Sequence, residues 1–506
     1  MKNNQRTAGI LLNYAGEAVK VLTALIYTPI MLRLLGQSEY GLYQLVSSTV
    51  AYLSLLSLGF GSAYIRFYSR YAVKNDHDGV ARLNGMFMLI FCIMSALCVV
   101  CGGVMIVKAE WVFGSGLTVL ELQKAKMLMA ILVFSMALTF PNSVFSCYVT
   151  AHERFVFQKT VNLLQWLLNP FLALPLLLLG YGSVAVVGVS AFLTTAVFLS
   201  NILFCRKKLQ MRFSFRGFDF GLLKEMWVFT FFIFLNQIID QVNWNVDKFL
   251  LGRMVGTSAV AVYGIGGQIN SLYIAASTAV SNVFVPKVNR IVATTDDNGE
   301  LTEMMIRIGR IQFMILALVV TGFIFFGQSF IQLWAGEEYG SAYAVALLLI
   351  VPVTIPLIQN IGIEIQRAKN MHRARSVVYT ALALCNVMLS IPLIKRFGVE
   401  GAALGTAVSM LLGNGLFMNW YYYRRMGLNM IAFWKSILRC TPAVAAASVF
   451  GLLQNWLWHI DSWGTLLLGI VGYTAVYGIL VAVLGFDEYE KNMAKKLLSH
   501  LCQREI

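Results

Sequence analysis

The sequence predicts an all-α integral membrane protein of about fourteen transmembrane helices, arranged as two parallel-repeat six-helix lobes with two extra C-terminal helices. Three observations predict it: a composition suited to lipid, a regular series of apolar stretches, and an internal repeat. Of the 506 residues, 58% are hydrophobic and 12% are charged, about half the charge of an ordinary soluble domain. The apolar stretches are roughly 20 residues long, enough to carry a helix across about 30 Å of hydrocarbon. Helix is the conformation they take, because backbone groups in lipid must be satisfied within the segment and the alternation of a membrane barrel is absent.

Taken in order, the stretches fall near 8–32, 42–65, 83–107, 127–149, 160–179, 183–205, 228–251, 259–284, 308–327, 342–365, 376–394, 400–422, 436–456 and 464–485. Residues 1–205 make the N-lobe, spans one to six. Residues 206–224, RKKLQMRFSFRGFDFGLLK, form a cytoplasmic interfacial linker in which Phe213, Phe215, Phe218 and Phe220 interleave with Arg212 and Arg216. Residues 225–425 make the C-lobe, spans seven to twelve, and 426–486 hold spans thirteen and fourteen. Residues 487–506 are a cytoplasmic amphipathic tail with Met493, Leu497, Leu498 and Leu501 on one face.

The repeat is read residue by residue. RLLGQSEYGLY at 33–43 and RMVGTSAVAVY at 253–263 match at Arg33 and Arg253, Gly36 and Gly256, Ser38 and Ser258, Tyr43 and Tyr263, all at an offset of 220. Asn169, Pro175, Gly182 and Gly188 align with Asn386, Pro392, Gly398 and Gly405 at offsets of 217, 217, 216 and 217. Six spans thus repeat as six, with the same topology, which places the symmetry axis along the membrane normal and a substrate path between halves.

Charge sets the orientation. With a cytoplasmic N-terminus, the outer side receives only Arg33, Lys108, Lys124, Lys126, Arg253, Lys395 and Arg396, Lys20 and Lys248 fall inside spans, and the other 30 of the 39 Lys and Arg are inner. This follows the positive-inside rule with both termini cytoplasmic. The net charge of +15 is accounted for by helix ends beside anionic headgroups, so no nucleic-acid partner is expected. Glu17 and Lys20 interrupt the N-terminal apolar run, and no cleavage site follows, so the first helix is retained. Cys98 and Cys101 form a C-x-x-C inside an apolar run with no accompanying His or second pair, which reads as packing rather than a redox or zinc site. His152, in the AHERF loop, has no metal-ligand company, and no metal or other cofactor is implied.

Ionisable groups inside a span are costly and mark function or a paired structural role. Span one carries Asn13, Glu17 and Lys20 on one face; span seven carries Asn236, Asp240 and Asn243 at the same spacing, continued by Asp247 and Lys248. These stripes align at 223 rather than 220, a turn of about 60° relative to the glycine motif. Glu17 with Lys20, and Asp247 or Asp240 with Lys248, would serve as helix-locking pairs. The width of the second stripe, which includes Gln237, Gln241, Trp244 and Asn245, favours instead a water-filled cavity. Arg33 and Arg253 at the outer helix ends, and Glu364 with Arg367 at the inner end of span ten, are gate or anchor candidates.

The segment Arg33 to Gly41, R-x-L-G-x-x-x-Y-G, followed by LGFGSAYIRFYSR at 58–70, resembles the polysaccharide transporter family, the Wzx-type oligosaccharide-lipid flippases, and the duplicated lobe is similar to the wider superfamily of MATE exporters and lipid II flippases. The resemblance implies a MATE-like fold in the bacterial inner membrane. It also implies alternating-access transfer of an undecaprenyl-diphosphate-linked oligosaccharide from the cytoplasmic to the periplasmic leaflet, driven by a H⁺ or Na⁺ gradient. On it, Lys20 and Lys248 are candidates for the diphosphate, with Asn236 in the cavity and Trp244 against a sugar ring, and Glu17, Asp240 and Asp247 are candidates for ion coupling. Spans thirteen and fourteen would offer a groove for the polyprenyl tail. Other glycan-assembly proteins and membrane lipids would be its partners. No Arg falls at mid-span, which disfavours the lipid II branch.

The competing readings are a MATE-like multidrug or cation antiporter, a membrane glycan polymerase or ligase, and a scaffold in an envelope complex. Fourteen spans argue against the first, and the short, acid-poor outer segment around 108–126 argues against an enzyme. Asp240→Asn and Lys248→Ala are each expected to abolish surface glycan export while the protein stays in the membrane; full glycan display in both would refute the cavity assignment.

Overall fold

The computed structural model describes residues 2–216, 220–369, 371–458 and 460–492; for residues 2–11, 13, 14, 115, 228, 229, 232, 236, 240, 372–374 and 376 it describes the backbone alone. By internal contacts the chain forms two compact units, Met1–Gly264 with Ile394–Val399, and Ile265–Leu393 with Glu400–Ile506.

In the first unit, helix α1 (Lys2–Ala51) is broken at Gly36, whose φ of 73° is open to glycine because it has no Cβ. A short 3₁₀ turn leads to α2 (Phe60–Val73), α3 (His77–Val107) and the single-turn α4 (Ala109–Phe113). Asp76 caps α3 by accepting from the Gly79 N–H at 2.7 Å. Next comes α5 (Val119–Ala151), which opens on a capping box of Thr118 with Glu121. It is followed by α6 (Phe155–Leu178), α7 (Gly182–Lys207), α8 (Phe220–Met254) and the start of α9 (Thr257–Asn282).

Residues 208–216 of the linker, after α7, run without helix and are stitched to α3. The Ser214 N–H donates to the Ala81 carbonyl at 2.9 Å and Asn84 Nδ2 donates to the Arg212 carbonyl at 2.9 Å. Gly85 lies directly under the Ser214 carbonyl, where a Cβ would overlap it. Phe213 packs edge-on against Phe145. Phe218 lies outside the described residues.

The second unit continues with α10 (Val285–Thr294), α11 (Asn298–Trp334), and α12 (Ala342–Ile358) with α13 (Asn360–Ala368), bent by 47°. Then come α14 (His372–Met410), a π-helical segment at 411–418, α15 (Asn419–Arg424), α16 (Met430–Leu438), α17 (Thr441–Leu457) and α18 (Trp463–Leu480). One apolar core gathers Ile308, Leu357, Ile361, Tyr422 and Phe433; another gathers Phe325, Phe326, Tyr473 and Tyr477.

The fourteen predicted stretches lie largely on helix, with turns inside 42–65 at Leu58–Gly59, inside 342–365 at Gln359 and inside 436–456 at Arg439–Cys440. Among the described residues, nine helical stretches are long and apolar enough to cross a membrane, or ten with the bent pair. Two of the nine, Ala15–Val73 of 59 residues and Val377–Arg424 of 48, exceed twice the length one crossing needs. Each is interrupted by a left-handed glycine, Gly36 and Gly398.

The duplication is visible in local geometry. Gly36 and Gly256 both have positive φ, as do Gly182 and Gly398, at 61° and 58°. Asn169 Nδ2 donates to Ser190 Oγ at 2.9 Å, and Asn386 Nδ2 donates to Thr406 Oγ1 at 3.3 Å. The same side-chain bond joins the same pair of helical segments in each copy, 217 and 216 residues apart.

Span nine is expected from 308, and α11, beginning at Asn298, carries it on a helix that starts ten residues earlier, so Arg310 lies within a continuous helix, where it is 3% exposed. Its Nε and Nη2 each donate to Glu490 at 2.8 Å, and Nη1 and Nη2 also reach the carbonyls of Ser436 and Gly485. Glu490, 2% exposed, also accepts the Asp487 N–H at 2.9 Å, while Asp487 accepts the Glu490 N–H. The start of the C-terminal segment is thereby capped and clamped to α11. Met493, Leu497, Leu498 and Leu501 of the expected amphipathic tail lie outside the described residues.

Breaking a buried, bidentate ion pair from one side typically costs about 3–5 kcal/mol. Arg310→Ala and Glu490→Ala are therefore each expected to lower the unfolding temperature in detergent sharply, with the double variant Arg310→Met/Glu490→Leu recovering much of the loss; equal melting of the Arg310→Ala and wild-type proteins would contradict the clamp. For the linker, Gly85→Ala should destabilise by about 1–3 kcal/mol through overpacking. Gly103→Ala, with open space around it, should be neutral in the same melt.

Candidate functional site

The polar site on α1 is made by close approach to α6. A Cβ on Gly16 would come within 2.7 Å of the Trp166 ring, so only the absence of a side chain there lets the indole lie against α1. One helical turn on, Lys20 Nζ sits 3.9 Å from the centroid of that ring, in cation–π range. Glu17 Oε1 accepts from the same ammonium at 3.1 Å, and the two side chains are 52% and 43% exposed respectively. Lys20 and Trp166 line a cavity of about 320 Å³, together with Tyr27 and the polar Gln165, Asn169 and Ser190. A cation, an aromatic face and neutral hydrogen-bonding groups converge there, the equipment for an anion joined to polar hydroxyls.

The α8 stripe is organised differently. Gln241 Nε2 donates to Ser54 Oγ at 3.1 Å, Asn245 Nδ2 donates to Gln241 Oε1 at 2.6 Å, and Ser57 Oγ donates to Gln237 Oε1 at 3.4 Å. Asp247, 1% exposed, accepts from the Tyr263 hydroxyl at 2.6 Å. Lys248 Nζ donates to Gln44 Oε1 at 3.0 Å, and Gln44 Nε2 donates to the Tyr40 hydroxyl at 2.8 Å. Consecutive residues on a helix point about 100° apart, and Asp247 and Lys248 accordingly take different partners. Trp244 is 42% exposed. The side chains of Asn13, Asn236 and Asp240 lie outside the described residues.

Of the expected pairs, the structure brings Glu17 to Lys20 and Arg367 Nη1 to Glu364 at 2.7 Å. Arg33 is exposed at the end of the first segment of α1, and the Arg253 guanidinium lies 5.9 Å from the Trp111 centroid. Near the Gly36 break, sequence reasoning missed two carboxylates. Glu121 accepts from Ser38 and Thr257 at 2.7 Å each, and Glu39 accepts from Lys124 at 2.6 Å and from the Ser183 N–H at 2.5 Å. Gly41 packs on the Thr257 carbonyl with no room for a Cβ. Glu121 was legible in part, since Thr118-x-x-Glu121 is a capping-box pattern; its long-range partners were not.

Trp166, Gln165 and Ser190 were also missed. An aromatic residue in an apolar run is ordinary, and Gln165 with Asn169 at i, i+4 was the available signal. At the AHERF loop, His152 Nδ1 donates to the Tyr148 carbonyl at 2.9 Å and Nε2 accepts from the Tyr68 hydroxyl at 3.1 Å. Burial, with Arg154 nearby, holds this imidazole below its usual range. It is a neutral hydrogen-bonding residue in this loop.

Comparison with known proteins places this geometry in context. The profile of the family described as "Polysaccharide biosynthesis protein" matches residues 7–292. The membrane protein EpsK of Bacillus subtilis is 23% identical over 492 residues, covering 96% of each chain. A Shigella flexneri protein named as an O-antigen transporter is 20% identical over 427 residues, covering 81% of this chain and 96% of its own. The solved structure of the lipid II flippase MurJ in an inward closed conformation superposes with a TM-score of 0.75 at 14% identity, covering 94% of this chain and 98% of that one. This last likeness is one of fold: a multi-pass, all-helical membrane protein.

Proposed function

This chain belongs to the polysaccharide biosynthesis protein family, and from that premise we propose that it is a flippase, a transporter and not an enzyme, for a lipid-linked oligosaccharide. The substrate is an undecaprenyl-diphosphate-linked repeat unit of an O-antigen, capsule or exopolysaccharide. It passes from the cytoplasmic to the periplasmic leaflet of the bacterial inner membrane by ion-coupled alternating access, with both termini of the chain cytoplasmic.

The observation that carries the reading is Lys20 above Trp166 in a polar hollow of an otherwise apolar helix pair. Diphosphate and sugar cannot enter hydrocarbon unpaired, since each unsatisfied polar group there costs several kcal/mol. The Lys20 ammonium offers charge and three donors, and Gln165, Asn169 and Ser190 offer bonds to hydroxyls. Glu17 occupies Lys20 when substrate is absent. Protonation of Glu17, or a cation bound to it, cancels that attraction and frees Lys20 for phosphate, which links ion entry to substrate binding.

Lys248, Asn236 and Trp244 complete the substrate path in this reading, Asp240 and Asp247 share the ion coupling, and Arg33, Arg253, Glu364 and Arg367 act at the gates. The lobes are residues 1–205 and 225–425, joined through 206–224.

In proteoliposomes loaded with a fluorescent undecaprenyl-diphosphate oligosaccharide, leaflet transfer should fall at least tenfold in Lys20→Ala, equivalent to about 1.4 kcal/mol of barrier. Glu17→Gln should abolish acceleration by an imposed pH gradient. Wild-type protein that transfers no lipid-linked sugar, yet accumulates ethidium in inverted vesicles, would establish a multidrug antiporter in its place.

A further inference from the structure

The polar hollow has neighbours along α6. Thr23, Tyr27 and Pro170 also line an adjoining cavity of about 270 Å³ between α1 and α6, whose other faces include Leu22, Ile26 and Phe171. Phe171 in turn lines a third cavity, of about 600 Å³, between α6 and α7. From Gln165 to Leu176 the chain of hollows follows α6 for about 16 Å at the helical rise, roughly half the hydrocarbon thickness.

The shape has causes in the sequence. Pro170 and Pro175 sit inside α6, each removing a helical hydrogen bond. Ala173 is fully buried, and Gly188 on α7 has open space where a Cβ would stand. Polarity changes along the groove at the border formed by Thr23, Tyr27 and Pro170. Tyr27 borders both the polar and the first apolar cavity, and its buried hydroxyl has no hydrogen-bond partner among the described residues. A rotation of that ring toward the polar cavity would give the hydroxyl an acceptor on a bound headgroup.

We propose that this α1–α6–α7 groove in the first unit is the seat of the polyisoprenyl chain, with the diphosphate on Lys20 and the chain running from Tyr27 past Ile26 and Phe171. The inference rests on the flippase reading and specifies the lipid half of its substrate, away from the C-terminal helices where the family resemblance alone would put the tail. Two features select the occupant. The groove is apolar along its length and opens at one end only on a cation with neutral donors, which complements an anionic headgroup on one long chain. The Lys20–Glu17 pair is half-exposed, so an arriving phosphate exchanges with Glu17 without leaving a charge stranded.

The test uses the full chain in phosphatidylethanolamine nanodiscs with undecaprenyl diphosphate as the probe. A photocrosslinking benzoylphenylalanine replaces Ile26 or Phe171 in the groove, or Leu467 on α18 as the comparator; Leu467 is also exposed. Capture is expected at 26 and 171 at least fivefold above 467. It should fall at least fivefold when Lys20→Ala is added, and be unaffected by a tenfold excess of phosphatidylglycerol. A separate Ile26→Trp variant, checked for wild-type melting, should slow transfer of the lipid-linked sugar at least fivefold.

Equal capture at all three positions, displacement by phosphatidylglycerol, or unchanged transfer in well-folded Ile26→Trp would overturn the groove. Capture at 467 alone would overturn it while leaving the flippase reading intact. Capture nowhere, with wild-type protein also inert toward lipid-linked sugar, would overturn that reading itself.

Discussion

Hydrocarbon supplies no hydrogen-bond partner and almost no dielectric screening, so every polar group carried into it must bring its own partner. The backbone meets this demand as helix, and at the turns between spans Gly36 and Gly398 take a left-handed φ that a side chain would resist. Side chains meet it as ladders. Along α8, Gln241 bonds to Asn245 and to Ser54, Gln237 bonds to Ser57, both serines belonging to the 3₁₀ turn after α1, and Lys248 donates to Gln44, which donates in turn to Tyr40. Asn169 with Ser190 and Asn386 with Thr406 apply the same solution once in each repeat.

Within this constraint the protein treats its ion pairs in two ways. Arg310 and Glu490 are closed off, almost fully buried, doubly bonded to each other and further held by two backbone carbonyls and a backbone N–H. Such a pair cannot change partners without leaving a buried charge uncompensated, which suits a clamp. Glu17 and Lys20 are half-exposed and bonded to each other beside an aromatic face. Their mutual attraction is weak in net terms, which leaves both free to exchange for a ligand or an ion. Exposure thus separates a pair fit for holding from one fit for trading.

Legibility from sequence followed the range of the interaction. Helix was readable throughout because its hydrogen bonds are local, and the repeat was readable because Gly36 and Gly256, or Asn169 and Asn386, keep their spacing in both copies. Glu17 and Lys20 stood out because charge inside an apolar run is rare. Trp166 did not, because an aromatic residue in such a run is ordinary; it became part of the site only through Gly16, which admits its ring to α1. Arg310 did not stand out either, because the partner that buries it lies 180 residues away.

The sequence by itself determined that this is a duplicated, multi-helical membrane protein, where its helices lie, and which in-span charges need explanation, all properties set by composition and by neighbours within a turn or two. Tertiary structure alone decided which side of each helix meets which other helix: that Trp166 underlies Lys20, that Asp247 goes to Tyr263 and Lys248 to Gln44, and that Glu121 joins Ser38 to Thr257. The reason is that in lipid the hydrophobic effect does not discriminate one apolar helix face from another. Lateral partners are chosen by close packing at small residues and by complementary polar groups far apart in the chain, and neither leaves a mark in local spacing.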